Sequence, residues 1–487
     1  MIEGHWRKLV LLSAMAAGST AVAGGASAAP PVDHVYIRAA VGIPNKDRFG
    51  ANHAGAVDVY LSDGTHQLLN ELNLGVVNED DADPASFGSA VAITDLDHDG
   101  YSDLVIGAPI LPFGVDASFL AGHVDLAFGT STGLTAARAV RLDSPGDKGD
   151  RFGAAVAVTG RNIENGPLDL WVGAPGADVD GVTDAGAVYH YAVDTEGSAT
   201  LVSKITQNTP GVGGTAEQDD RFGEVLAPSS LGVVIGVPHE DVGAAKDAGG
   251  VQILTVNDAG TLTGTSLDYT QDTPGVPGTA EAGDRFGAAL AYGGTAIGVP
   301  GEDVGKAKDA GLVQLMFGED HPIGQALTQN SKGIPGTAEA GDEFGASLTG
   351  VSTCLDFGSI AIGAPGEGIG AATGAGSVTI VPAPSEKFPE DCPATTFAQG
   401  HGAPGVSEKG DRFGTALAAG SRDPSPSDPE NFGTGKPFVG VPGEDIGTRD
   451  AGSNTGRAVQ GSRSYGYPGG DTQNLAYGSV LATPMYT

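Results

Sequence analysis

The stretch Asp95–Asp103, "DLDHDGYSD", carries the densest chemistry in the chain. Carboxylates alternate at Asp95, Asp97 and Asp99, Gly100 follows, and Asp103 adds a fourth. One tight loop with that spacing can point several oxygens at one centre. Calcium takes about 6–8 hard oxygens at roughly 2.3–2.6 Å. The expected ligands are the carboxylates of Asp95, Asp97, Asp99 and Asp103 and the backbone carbonyl of Tyr101, with Gly100 permitting the turn. No helix–loop–helix frame surrounds the stretch, so this is a loop site and not an EF-hand. In a second stretch, "RNIENGPLD", Asn165, Gly166 and Asp169 keep the pattern. Arg161 and Ile163 replace two carboxylates there, so a single calcium is expected.

Two further patterns are acidic. "TPGVGGTAEQDDRFG", "TPGVPGTAEAGDRFG" and "KGIPGTAEAGDEFG" set Glu217, Glu281 and Glu339 beside Asp220, Asp284 and Asp342. "HEDVGAAKDAG", "GEDVGKAKDAG" and "GEDIGTRDAG" contribute Glu240, Asp241, Glu302, Asp303, Glu444 and Asp445. A funnel of carboxylates focuses a field on a cation or a basic ligand. The competing reading is that Asp and Gly recur as turn formers. "GTSTG" at Gly129–Gly133 fits G-x-S-x-G, but a hydrolase elbow needs a strand before it and a helix after it. Here a hairpin turn is expected. The ten histidines show no zinc spacing.

The elements that must position these residues repeat. Phe-Gly recurs at Phe87, Phe152, Phe222, Phe286, Phe344 and Phe413. After each comes a short apolar run ending in Gly-x-Pro, at Gly107, Gly173, Gly236, Gly298, Gly363 and Gly440. A third run then mostly opens with Ala-Gly, as in "AGGVQILTV". Runs of this length, rich in Val and Ile and bounded by Gly, Pro or Asp, are strands. Four short strands in a unit of roughly 60–70 residues describe a propeller blade. The chain near residue 35 begins with a second strand, ending at Gly42-Ile43-Pro44, and lacks the first. "LAYGSVLA" at Leu475–Ala482 resembles that missing strand. The expected fold is all-β: a seven-bladed β-propeller whose first blade is closed by the C-terminal strand, a clasp that removes free edges. "DRFG" at Asp47 follows its Gly-x-Pro and is read as loop. The blade after Phe413 is irregular, with an insertion over Arg422–Lys436.

Phe-Gly followed by Gly-Ala-Pro in this order resembles the FG-GAP repeat, found in the propeller of integrin α subunits and in secreted bacterial proteins. The resemblance covers residues 35–482. It implies a propeller with Phe-Gly opening the innermost strand, calcium in loops joining strands 1 and 2, and a ligand face built from the 4→1 and 2→3 loops. On that basis Glu240, Asp241, Glu302, Asp303, Glu444 and Asp445 are ligand-face candidates.

Whole-chain properties narrow the function. Residues 1–28 read as a secretory signal: Arg7 and Lys8, the apolar Leu9–Ala23, then Ala26-Ser27-Ala28. Residues 33–487 form the single propeller domain. No other apolar stretch is long enough to span a membrane. The formal charge is −35, and −36 once Arg7, Lys8 and Glu3 leave with the signal. That charge repels nucleic acid and anionic membranes. Cys354 and Cys392, the two cysteines, are expected to form a structural disulfide in an oxidising compartment. The expectation is a secreted, monomeric, calcium-binding module, not an enzyme, that binds an extracellular protein or glycan in adhesion. The alternative is a secreted hydrolase of esters, phosphoesters or glycosides with its site on the propeller axis. Seven blades use up the chain after the signal, which ranks that alternative second.

Overall fold

The computed structural model describes residues 35–46, 54–76, 86–109, 121–161, 166–230, 232–257, 259–317, 323–352, 358–382, 392–419, 437–444, 457–460, 463–466 and 480–482. These residues form seven sheets arranged as a ring, antiparallel apart from one short parallel pairing, so the propeller is present. Blade 2 shows the plan. Its strands run Ala90–Thr94, Asp103–Ala108, His123–Phe128 and Thr135–Asp143 from axis to rim. Blade 3 repeats it with Ala155–Gly160, Leu168–Ala174, Ala187–Val193 and Ala199–Ile205. Blade 6 carries one extra short pairing, Gly402–Ala403.

The ring closes as the repeat order requires. Val480–Ala482 is the inner strand of blade 1, paired with Ile37–Ile43 through Val41↔Leu481 and Gly42↔Val480. Leu481 also packs against the blade 7 residues Ala418 and Phe438. The clasp thus joins the last blade to the first.

The Phe-Gly pairs stand just before the inner strands and do not open them. Blade 2 begins its inner strand three residues after Phe87. Phe152 donates its N–H to the carbonyl of Ala121 at 3.0 Å, and its backbone bridges in parallel to Gly122. Ala121-Gly122 opens the third strand of the preceding blade, which explains why Ala-Gly recurs there. All six Phe rings are fully buried. Phe152 packs with Val105 and Leu126 of blade 2 and Val172 and Tyr189 of blade 3. Each ring is a wedge between two blades.

The glycines permit this closeness. A Cβ on Gly107 would lie 2.0 Å from the carbonyl oxygen of Gly153 in the next blade, and one on Gly173 would lie 1.9 Å from that of Gly223. The Gly-x-Pro of one blade and the Phe-Gly of the next are therefore one contact between two backbones. The third strands are buried on both faces: Val251 joins the core toward blade 5, and Leu254 the core toward blade 3.

Candidate functional site

The Asp95–Asp103 loop joins the first two strands of blade 2. Asp95, Asp97 and Asp99 converge there, with ligand oxygens all within 4.8 Å of one another. The turn is fixed from within: Asp95 accepts the N–H groups of Asp99 at 3.1 Å and Gly100 at 2.9 Å, and Asp99 accepts that of Tyr101 at 2.9 Å. Asp97 is buried, and its Oδ1 has no hydrogen-bond partner. Its Oδ2 meets the Arg138 guanidinium at 2.6 Å, which in turn lies over the Phe128 ring. Burial, reinforced by the charges of Asp99 and Asp97, pushes the Asp95 carboxyl above the usual carboxylate range. Three crowded carboxylates and one buried, unanswered oxygen fit a hard divalent cation.

Asp103 stands apart from this cluster. Its carboxylate turns inward and accepts the N–H of Leu96 at 2.6 Å and of Gly129 at 2.7 Å. Burial raises it to about 7. It ties the loop to the end of the third strand. In blade 3 the matching stretch solves its charge differently. Arg161, at the position of Asp95, makes a two-pronged pair with Asp169, at 3.0 and 2.7 Å. Asp169 also receives His190, which stacks on Trp171. A guanidinium thus stands at the position of Asp95 and neutralises Asp169, the counterpart of Asp103.

The upper acidic residues divide into two sets. Glu240, Glu302, Glu367 and Glu444 face inward and accept the side-chain amide of Gln207, Gln271, Gln329 and Gln399 from the preceding blade. Burial raises Glu240 and Glu367 to about 7. Asp220, Asp284, Asp342 and Asp411 are also buried, each accepting the N–H three residues earlier. Asp241 and Asp303 cap their own loops by accepting the N–H of Asp247 and Asp309. The N–H donors to the buried Asp set, Glu217, Glu281, Glu339 and Glu408, project their own side chains to solvent, one per junction. Sequence alone does not separate the two sets. The signal available in the sequence is the recurring Gln, two residues beyond the outer strand at Gln207, Gln271 and Gln329 and at the strand's end at Gln399.

Some expected residues fall elsewhere. Asp445, Cys354, the Asp47–Gly50 "DRFG", the Arg422–Lys436 insertion and residues 1–28 lie outside the described residues. Cys392 is buried just ahead of the strand Thr395–Gln399. Ser131 sits in the hairpin between two strands of blade 2, where Thr130 and Gly133 exchange backbone hydrogen bonds. Among the described residues no helix is long and apolar enough to cross a membrane.

Ring, wedge and paired glycines define a seven-bladed β-propeller with a loop suited to a hard cation. The FG-GAP repeat pattern matches residues 87–116, which contain that loop. The chain is thus a seven-bladed β-propeller that carries an FG-GAP repeat and is similar in part to integrin α subunits. It is 35% identical over 130 residues to the phosphatidylinositol-glycan-specific phospholipase D of Bos taurus, covering 24% of this chain and 14% of that protein. It is 32% identical over 157 residues to integrin alpha-7 of Rattus norvegicus, covering 32% of this chain and 13% of that one. An uncomplexed acylaminoacyl peptidase of Pyrococcus horikoshii overlays with TM-score 0.42 and 8% identity, over 89% of this chain and 52% of that chain. An overlay that loose bears on no function.

Proposed function

We propose that the protein is an exported, calcium-stiffened binding module that engages a protein or glycan partner through the face carrying the 4→1 and 2→3 loops. The observation that carries this reading is the division of the acidic residues. One set is consumed inside the blade junctions, and Glu217, Glu281, Glu339 and Glu408 are displayed at successive junctions. An arc of exposed carboxylates on a rigid frame favours a partner with basic groups, at a rate that falls with salt. Calcium at Asp95, Asp97 and Asp99, with the Tyr101 carbonyl, stiffens a hairpin and contributes no chemistry. A Cys354–Cys392 disulfide holds blade 6 in the same exported setting.

The test uses purified residues 29–487 on arrays of extracellular proteins and glycans. Replacing Glu217, Glu281, Glu339 and Glu408 together by Gln should weaken saturable binding at least tenfold without lowering the melting temperature. Binding untouched by that change would sink the assignment of the face. The hydrolase reading draws support from the likeness to a phospholipase D. Turnover of chromogenic esters, phosphoesters or glycosides, lost on changing a single carboxylate, would replace the binding reading.

A further inference from the structure

The junction of blades 1 and 2 departs from its counterparts. Glu71 lies two residues beyond the outer strand His66–Leu69, the place held by Gln207, Gln271 and Gln329 at other junctions. Facing it, the third strand of blade 2 brings His123 and Asp125, which share a face because they are two residues apart. The corresponding pairs in blades 4, 5 and 6 are Gly250 and Gln252, Leu312 and Gln314, and Ser377 and Thr379. An acid, an imidazole and a second acid thus meet only at this junction among those four.

Glu71, His123 and Asp125 are 3%, 6% and 0% exposed. One ligand atom from each falls within 4.8 Å of the others. His123 Nε2 is 2.7 Å from Glu71 Oε1 and 3.5 Å from Asp125 Oδ2. That buried nitrogen lies within hydrogen-bond length of Glu71 but is well aligned with neither carboxylate oxygen. Bonds of about 2.0–2.2 Å in a tetrahedral site set nitrogen and oxygen ligands a little over 3 Å apart. The observed separations bracket that spacing. Arg141, opposite Asp125 on the outer strand, holds both carboxylates: Nε and Nη2 reach Asp125 at 2.9 and 3.0 Å, and Nη2 reaches Glu71 at 2.6 Å. Hydrogen bonds of this kind orient ligating carboxylates and leave their other lone pairs open.

We propose that Glu71, His123 and Asp125 form a second metal site, buried between blades 1 and 2, for zinc or a similar late first-row divalent ion. The mixed nitrogen and oxygen set distinguishes it from the all-oxygen loop at Asp95, which suits calcium. With three protein ligands, a water completes four-coordination. The ion would clamp the first internal junction next to the clasped blade.

The experiment titrates the metal-stripped full chain with zinc chloride in excess calcium, by calorimetry, and with cobalt(II) by visible absorption. The expected result is one saturable zinc site and a cobalt spectrum of low-coordinate nitrogen and oxygen ligation. His123→Gln should weaken binding at least tenfold. Glu71→Gln installs the residue other junctions use, so it should fold normally and also lose the site. Asp97→Asn should leave zinc uptake unchanged. No saturable uptake by folded wild type overturns the proposal. It would show a metal-free network in which imidazolium and guanidinium balance the two acids. Zinc uptake that survives Glu71→Gln undiminished also overturns it.

Discussion

Asp97 and Asp103 belong to one loop and serve different ends. Asp97 leaves Oδ1 without a partner and spends Oδ2 on the half-exposed Arg138, so Asp97→Asn should cost about 1 kcal/mol or less and lower calcium affinity at least tenfold in calorimetric titration. Asp103 anchors two buried N–H groups. Asp103→Ala should therefore destabilise by about 2–4 kcal/mol in urea unfolding, since each orphaned donor keeps its desolvation cost. Equal stability of the two variants would mean that Asp103 is a ligand and not an anchor. The alternating carboxylates announced the loop because spacing fixes which oxygens can reach one centre. Spacing does not say which side chain turns inward, so Asp103 was expected among the ligands. Glu71, His123, Asp125 and Arg141 were not legible together. Their meeting depends on two blades packing, and nothing local links the first to the rest.

At the scale of strands and turns, the repeat was readable because each motif is a backbone requirement. Phe-Gly, Gly-x-Pro and Ala-Gly mark places where two blades touch main chain to main chain. Their roles were less readable: Phe-Gly forms the turn before the inner strand, and the Ala carbonyl receives the Phe N–H. Gly107→Ala tests this. Its Cβ would meet a carbonyl oxygen at 2.0 Å that belongs to the neighbouring blade and cannot swing aside. The loss should reach about 3 kcal/mol or more, at the upper end for single substitutions. Gly243 has φ of +64° and open space around its Cβ position. Gly243→Ala should cost only the left-handed strain, about 1 kcal/mol. Similar losses in chemical denaturation would refute the interblade contact as the reason for the glycine.

The whole ring carries a linked titration. Burial lifts Asp103, Asp220, Glu240, Asp284, Asp342 and Glu367 to between about 6 and 7. In these groups the folded chain holds its proton to higher pH than the unfolded chain does. Their contribution is complete below about pH 4 and is lost as pH rises to about 7. Glu71 and Asp169, lowered by their His and Arg partners, act in the opposite sense but are fewer. In chelator the melting temperature should fall from pH 5 to pH 8, and Glu240→Gln should flatten the slope. A melting temperature rising across that range would show that the junction carboxyls are ionised in the fold.

The clasp sets the stability of the assembly. Three residues, Val480–Ala482, supply the inner strand of blade 1, and Leu481 reaches across to blade 7. Deleting Leu475–Thr487 removes that strand and bares the edge of Ile37–Ile43. A bare inner edge invites pairing with another chain. The deletion should lower the melting temperature sharply and produce oligomers in light scattering. A synthetic peptide of residues 475–487 should restore both, because a strand added in trans can supply the same main-chain bonds. Loss of stability without rescue would point to side-chain packing against blade 7 as the stronger part of the clasp. An unchanged melt would mean that the six internal junctions hold the ring without it.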